Sequence, residues 1–211
     1  MNIKRFPLGA LWTNCYLIWD DKGDGFIVDP GGPAEEVEDF IRSHDIKLQW
    51  ILLTHGHNDH IGGIPGLRNL SDNGVAVHAD DAECLTSAEK NLSTYMGASV
   101  EMPSADRLLH DGDKLKVGSM TVDVVHTPGH TLGGVCLLVT DTAKDEQVLV
   151  SGDTLFARSV GRSDLPGGDE NVLIESLKKL DGLPDKMRVF PGHGPETTIG
   201  AEKRYNPYWP K

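Results

Sequence analysis

Three histidines and an aspartate fall within six consecutive residues, His55-Gly56-His57-Asn58-Asp59-His60, and Ile61-Gly62-Gly63 follow at once. Imidazole and carboxylate are donors that zinc, iron and manganese accept, and the run offers no thiolate of the kind that closes a purely structural zinc site. Its chemistry is that of a catalytic metal centre. On an extended or loop backbone His55 and His57 point to the same side, whereas Asp59 and His60 lie beyond the turn and address a second position close by.

Three later segments can complete a two-metal site. Residues 121–126 alternate like a half-buried strand and run into Thr127-Pro128-Gly129-His130-Thr131, a proline and glycine turn able to aim His130 inward. Residues 148–150 form an apolar run that leads through Ser151 and Gly152 to Asp153, and Val189-Phe190-Pro191-Gly192 leads to His193. The apolar run at 48–53, just before the first cluster, has the length of a buried central strand. Every ligand group thus sits where a strand leaves the core, so four strand ends can deliver them to one edge of a single fold.

The elements that must position these residues follow from periodicity. Strands are expected over 14–19, 26–28, 48–53, 117–126, 135–139 and 148–151. A helix over 34–44 carries Ala34, Val37, Phe40 and Ile41 on one face and acidic residues on the other. Ile61, Ile64 and Leu67 suggest a helix starting right after the ligand cluster, and further helices are expected over 79–88 and 170–180. Strands in both halves with helices outside favour two sheets packed face to face, an αββα sandwich. Of the remaining histidines, His44 closes the acidic helix, His78 and His110 read as surface or loop residues, and His126 is too far from His130 to bind the same ion but could support it from behind.

These segments resemble the metallo-β-lactamase superfamily and, within it, the glyoxalase II (hydroxyacylglutathione hydrolase) branch. The resemblance is carried by Asn14-Cys15-Tyr16, Asp29-Pro30-Gly31-Gly32, the 54–60 run, the 127–131 turn, Gly152-Asp153-Thr154-Leu155-Phe156, Gly161-Arg162-Ser163-Asp164, Pro191-Gly192-His193-Gly194 and the 202–208 stretch with Asn206-Pro207, in the family's order along the chain. It implies an α+β fold, the four-layer αββα sandwich, formed by one hydrolase domain over residues 1–211. It implies that His55, His57 and His130 bind a first divalent metal, that Asp59, His60 and His193 bind a second, and that Asp153 bridges them. Asp29 matches a position that supports the ligands, and it also suits the turn before Pro30. Zinc is expected, with iron or manganese as alternatives, and Asp59 and Asp153 are the residues placed to handle the proton.

The same resemblance implies a thioesterase acting on S-2-hydroxyacylglutathione such as S-lactoylglutathione. Arg162 stands where glutathione-handling members keep a basic residue and could grip a substrate carboxylate, but the aromatic residue expected two positions later is Asp164. The chain stops at Lys211, shortly after Tyr208-Trp209, so it resembles the short subgroup without the C-terminal helical extension. A persulfide dioxygenase using a single iron, or a lactonase, would be built from the same fold, and a non-enzymatic metal-binding domain is disfavoured by the complete ligand set. Nothing resembles a serine elbow or a cysteine dyad.

Composition bounds the partners. The chain has 211 residues, 38% of them hydrophobic, enough to bury the core of one domain. A formal net charge of −12 argues against a nucleic-acid partner, since such binding rests on phosphate neutralisation by clustered Lys and Arg. The first residues lack an apolar leader and no window approaches the roughly 20 apolar residues that cross a bilayer, so neither export nor membrane insertion is expected. Three cysteines, Cys15, Cys84 and Cys136, show no metal or redox spacing and fit free thiols in a reducing cytoplasm.

Overall fold

A computed structural model describes residues 1–210. Chain order runs through β1 (Asn2–Leu8), β2 (Thr13–Trp19), β3 (Asp24–Val28), α1 (Glu35–Ser43), β4 (Lys47–Leu52), α2 (Asn58–Ile61), α3 (Ile64–Leu67), β5 (Val75–His78), α4 (Ala82–Thr86) and β6 (Arg107–Leu109). It continues through β7 (Lys114–Val117), β8 (Met120–His126), β9 (Val135–Asp141), β10 (Glu146–Gly152), the hairpin of β11 (Leu155–Phe156) and β12 (Ser159–Val160), α5 (Glu170–Lys178), β13 (Arg188–Pro191), β14 (Thr197–Thr198) and α6 (Ile199–Tyr205). β1 to β6 form one six-stranded sheet in chain order; the other six-stranded sheet has the order β14-β13-β10-β9-β8-β7.

Alternation along each strand builds the four layers. Tyr16, Ile18, Phe26, Val28 and Leu52 face Val122, Val124, Leu137, Val139, Val150 and Phe190 across the space between the sheets. Their neighbours Cys15, Leu17, Ile27 and Ile51 turn the other way, onto Val37 and Ile41 of α1 and Ile61 and Ile64 of α2 and α3. On the far side Leu149 and Val189 pack on Leu177 of α5 and Ile199 of α6. Central strands buried on both faces explain why their sequences are almost continuously apolar. The expected αββα sandwich is the fold that forms.

Some expected boundaries shift, each for a local reason. The single strand expected over 117–126 is a hairpin: Gly118 adopts φ 54°, and β7 folds back on β8 with Val117 paired to Met120. The helix expected after the ligand cluster begins inside it, at Asn58, so Asp59 and His60 ride on the first turn of α2, and Pro65 then opens α3. The helix expected over 79–88 divides into a short 3-10 turn at Ala79–Asp81 and α4. Asp169 caps α5, its side chain accepting from the Asn171 and Val172 N–H groups. β1 carries Lys4, Arg5 and Pro7, residues suited to the sheet edge it occupies rather than to an apolar run.

Candidate metal centre

All seven residues expected as ligands come together. His55 and His57 follow β4, Asp59 and His60 lie on α2, and His130, Asp153 and His193 follow β8, β10 and β13. In one group His55 Nε2 is 3.1 Å from His57 Nδ1 and 3.2 Å from His130 Nε2. In the other, Asp59 Oδ2 is 3.2 Å from His193 Nε2 and 3.6 Å from His60 Nε2. Asp153 stands between them: Oδ1 is 3.5 Å from His60 Nε2, while Oδ2 is 3.5 Å from His130 Nε2 and 3.7 Å from His193 Nε2. Tetrahedral donors on bonds of about 2.0–2.2 Å lie about 3.4 Å apart, the spacing these atoms keep.

The donor set also fits cations by what it leaves unsatisfied. His60 Nε2 and Asp153 Oδ1 are buried and have no hydrogen-bond partner. Burying such atoms unpaired is costly, and a cation between them removes the cost. The protonation pattern points the same way. Burial, reinforced by the neighbouring imidazoles, holds His55 well below the usual histidine range, and burial with His130 brings His57 down to about 3, so both rings are neutral donors. Burial pushes Asp59 upward, but His60 and His193 outweigh it and keep its carboxyl below the usual range. Burial likewise opposes the charge on His60, yet Asp59, Asp29 and Asp153 raise it to about 10. A proton there answers the same negative field that a metal would.

A surrounding layer fixes the ligands. Asp29, held at φ 51°, accepts from the Thr54 N–H at 2.8 Å and the Thr54 hydroxyl at 2.6 Å, and its Oδ2 lies 3.0 Å from His60 Nδ1. It is thus a turn residue that also lies against His60. His130 Nδ1 donates to the Arg162 carbonyl at 2.7 Å, which turns Nε2 toward the site. Asp81, which nothing in the sequence distinguishes from its exposed neighbour Asp80, is 2% exposed. Its carboxylate accepts from the Gly56 N–H at 3.0 Å, the Thr131 hydroxyl at 2.8 Å and the Gly133 N–H at 2.7 Å, tying the loop of His55 and His57 to the loop of His130. Asn14 donates to the Pro191 and Gly194 carbonyls, both at 2.9 Å, and so fixes the His193 turn from the first sheet.

Gly161 shows how closely this layer is packed: a Cβ there would come within 1.9 Å of the Asp153 carbonyl oxygen and 3.1 Å of His130 Nδ1. Gly161→Ala is expected to cost about 1–3 kcal/mol and to lower metal content, because the backbone behind two ligands must move. Thermal melting and elemental analysis check this, and a variant matching the parent in both would refute it.

The other singled-out residues divide. Arg162 lines the cavity in front of the ligands, 61% exposed, with its guanidinium in two 2.8 Å hydrogen bonds to Asp164. His78 corrects the expectation of a surface or loop residue: it ends β5, is 5% exposed and stacks on His126 with ring centroids 4.0 Å apart. His126 Nε2 donates to the Leu132 carbonyl, and so touches the loop that follows His130 rather than any ligand. His44 caps α1 and stacks on Phe40. The three cysteines are free, and burial pushes the Cys84 and Cys136 thiols up to about 12 and about 11, which leaves them unreactive.

The cavity facing the ligands has a volume of about 520 Å³. Its walls include Leu11, Leu92, Tyr95, Met96 and Phe156, none of which periodicity or spacing marks as functional. Among the described residues no helix is long and apolar enough to cross a membrane.

The family model for the metallo-beta-lactamase superfamily matches residues 8–193, and the chain belongs to that superfamily. Hydroxyacylglutathione hydrolase GloC of Haemophilus influenzae is 36% identical over 218 residues, covering 99% of this chain and 98% of its own length. The crystal structure of the BLEG-1 B3 metallo-beta-lactamase superposes with a TM-score of 0.90 at 37% identity, covering 98% of this chain and 99% of the other. That of TTHA1623 in a di-iron-bound form gives a TM-score of 0.83 at 36% identity, with 97% and 99% covered.

Proposed function

We propose that the protein is a binuclear metal-dependent hydrolase that cleaves S-2-hydroxyacylglutathione thioesters, S-lactoylglutathione among them, as glyoxalase II does. One observation carries the metal chemistry: a buried and a half-buried donor group share Asp153, and His60 Nε2 and Asp153 Oδ1 between them lack a hydrogen-bond partner. The full-length likeness to GloC supports a thioester substrate. His55, His57 and His130 would hold one ion, Asp59, His60 and His193 the other, and Asp153 both. Zinc is the metal proposed, with iron as the alternative that the di-iron relative suggests.

When bound, two such cations lower the pKa of a water molecule and polarise the carbonyl it attacks. The chain supplies the rest. His130, turned by the Arg162 carbonyl, and His57 form the wall on which the thioester carbonyl is oriented. Asp59 or Asp153 accepts the one proton of the attacking water. A thiolate leaves with little protonation, so no further acid is required. The free thiols suit a cytoplasmic setting.

Elemental analysis with a panel of thioesters, lactones and a persulfide tests the proposal. Two metals per chain and thioester turnover are expected; one iron per chain with oxygen uptake on the persulfide would replace this reading with that of a dioxygenase. A finer test concerns Arg162, whose exposed pairing with Asp164 is weak enough for a substrate carboxylate to displace. Arg162→Ala is expected to leave metal content intact and to raise KM for a glutathione thioester roughly tenfold to a hundredfold, with little effect on a small neutral thioester. Equal handling of both substrates by the variant would remove Arg162 from the site.

A further inference from the structure

Glutathione is polar and anionic, but most of the cavity wall is neither. Beyond the ligands themselves the apolar side chains of Leu11, Leu92, Tyr95, Met96, Phe156 and Leu165 make most of it, with Asn58, Ser159 and Arg162 as its polar members. Among the described residues lining it, Arg162 is the one cation besides the ligand histidines, and Asp164 already holds it. Leu11, Tyr95 and Met96 are 47%, 69% and 52% exposed, a concentration of large apolar side chains at one opening on a chain of net charge −12. Single exposed apolar residues are ordinary, but several converging on a cavity mark a binding surface.

The wall is built rather than loose. Leu92 sits at φ 68°, left-handed backbone that a leucine adopts only at a cost. Buried Asn91 holds it there: its amide donates to the Cys84 carbonyl at 3.0 Å and the Val100 carbonyl at 2.7 Å, and its oxygen accepts from the Ser93 N–H at 3.0 Å. The Asn58 N–H donates to the Asn91 carbonyl at 2.9 Å, so the segment leading into the 3-10 turn Ser93–Met96 is fastened to the helix of Asp59 and His60. Across the cavity, Glu202 accepts from the Arg158 N–H and the Asn206 amide, and Asn206 donates to the Ser159 carbonyl, holding the hairpin that carries Phe156 and Val160.

Resting on the thioesterase reading above, we propose that this cavity binds the acyl arm of the substrate and that the arm is an apolar chain, so that the preferred 2-hydroxyacyl groups are several carbons longer than lactoyl. Of the two arms of such a thioester, only the acyl one can be apolar. The glutathionyl arm then lies toward the opening, where water and Arg162 meet its charges.

The test is calorimetric binding of straight-chain 2-hydroxycarboxylates, the products of these thioesters, to the zinc-loaded full chain. Each methylene buried contributes about a three- to fourfold gain in affinity, so Kd is expected to fall roughly a hundredfold from the three-carbon to the seven-carbon acid. Met96→Gln and Phe156→Ser, with folding checked by circular dichroism, are expected to flatten the dependence. An affinity constant within twofold across the series overturns the proposal, as does a rising series that both variants leave untouched. Thioester hydrolysis is scored separately: its absence would sink the thioesterase reading, while the binding series still decides whether the cavity takes an apolar chain.

Discussion

Asp153→Ala is expected to lose at least one metal and nearly all hydrolytic activity. Its Oδ1 lies 3.5 Å from His60 Nε2, its Oδ2 lies 3.5 Å from His130 Nε2 and 3.7 Å from His193 Nε2, and nothing nearby replaces a carboxylate spanning both donor groups. Mutating a residue that merely supports a ligand already costs about 10–100-fold in metal affinity or activity, so removing the shared ligand must exceed that. Asp153→Asn separates charge from shape: it keeps the volume, loses the negative charge and is expected to bind metal weakly. Elemental analysis and steady-state kinetics on the same preparation give the answer. Full metal content with near-parental turnover in the alanine variant would sink the bridging assignment.

His57→Ala carries the second large effect. Its ring is held neutral, brought down to about 3 by burial and His130, and its Nδ1 lies 3.1 Å from His55 Nε2. Removing it leaves His55 and His130 as an incomplete set while Asp59, His60 and His193 stay whole. Metal content is therefore expected to fall toward one per chain, and thioester hydrolysis to drop by more than about a hundredfold, since both ions act on the reaction. Undiminished hydrolysis would mean that one metal suffices, and the dioxygenase reading would gain at its expense.

Much of this site is legible in the sequence because its donor residues are local to strand ends. His55, His57, Asp59 and His60 share one short run, and the apolar runs before His130, Asp153 and His193 announce the strands that carry them. The layers of the fold are legible for a related reason: strands buried on both faces are apolar throughout, and α1 shows one apolar stripe. What escapes is whatever depends on distant backbone. Asp81 looks like half of a surface Asp-Asp pair, and only the approach of Gly56, Thr131 and Gly133 makes it a clamp. The cavity wall escapes because Leu11, Leu92, Tyr95 and Met96 lie in turns, where apolar residues follow no period. β7 and β8 merge in the sequence because only Gly118 and Ser119 separate two short alternating runs.

The bonds from Asn14 to the Pro191 and Gly194 carbonyls, 177 and 180 residues away, bear on when the metals can arrive. In the proposed site the first ion would draw on His55 and His130, 75 residues apart, and the second would also need the His193 turn that Asn14 fixes. Pairings so distant in sequence form late and slowly in folding. An intermediate in which only the first sheet has closed would own His55, His57, Asp59 and His60 but neither complete coordination shell. Metal uptake would then be the last act of folding rather than its nucleus, and ions that bind the native state would raise the melting temperature with their concentration.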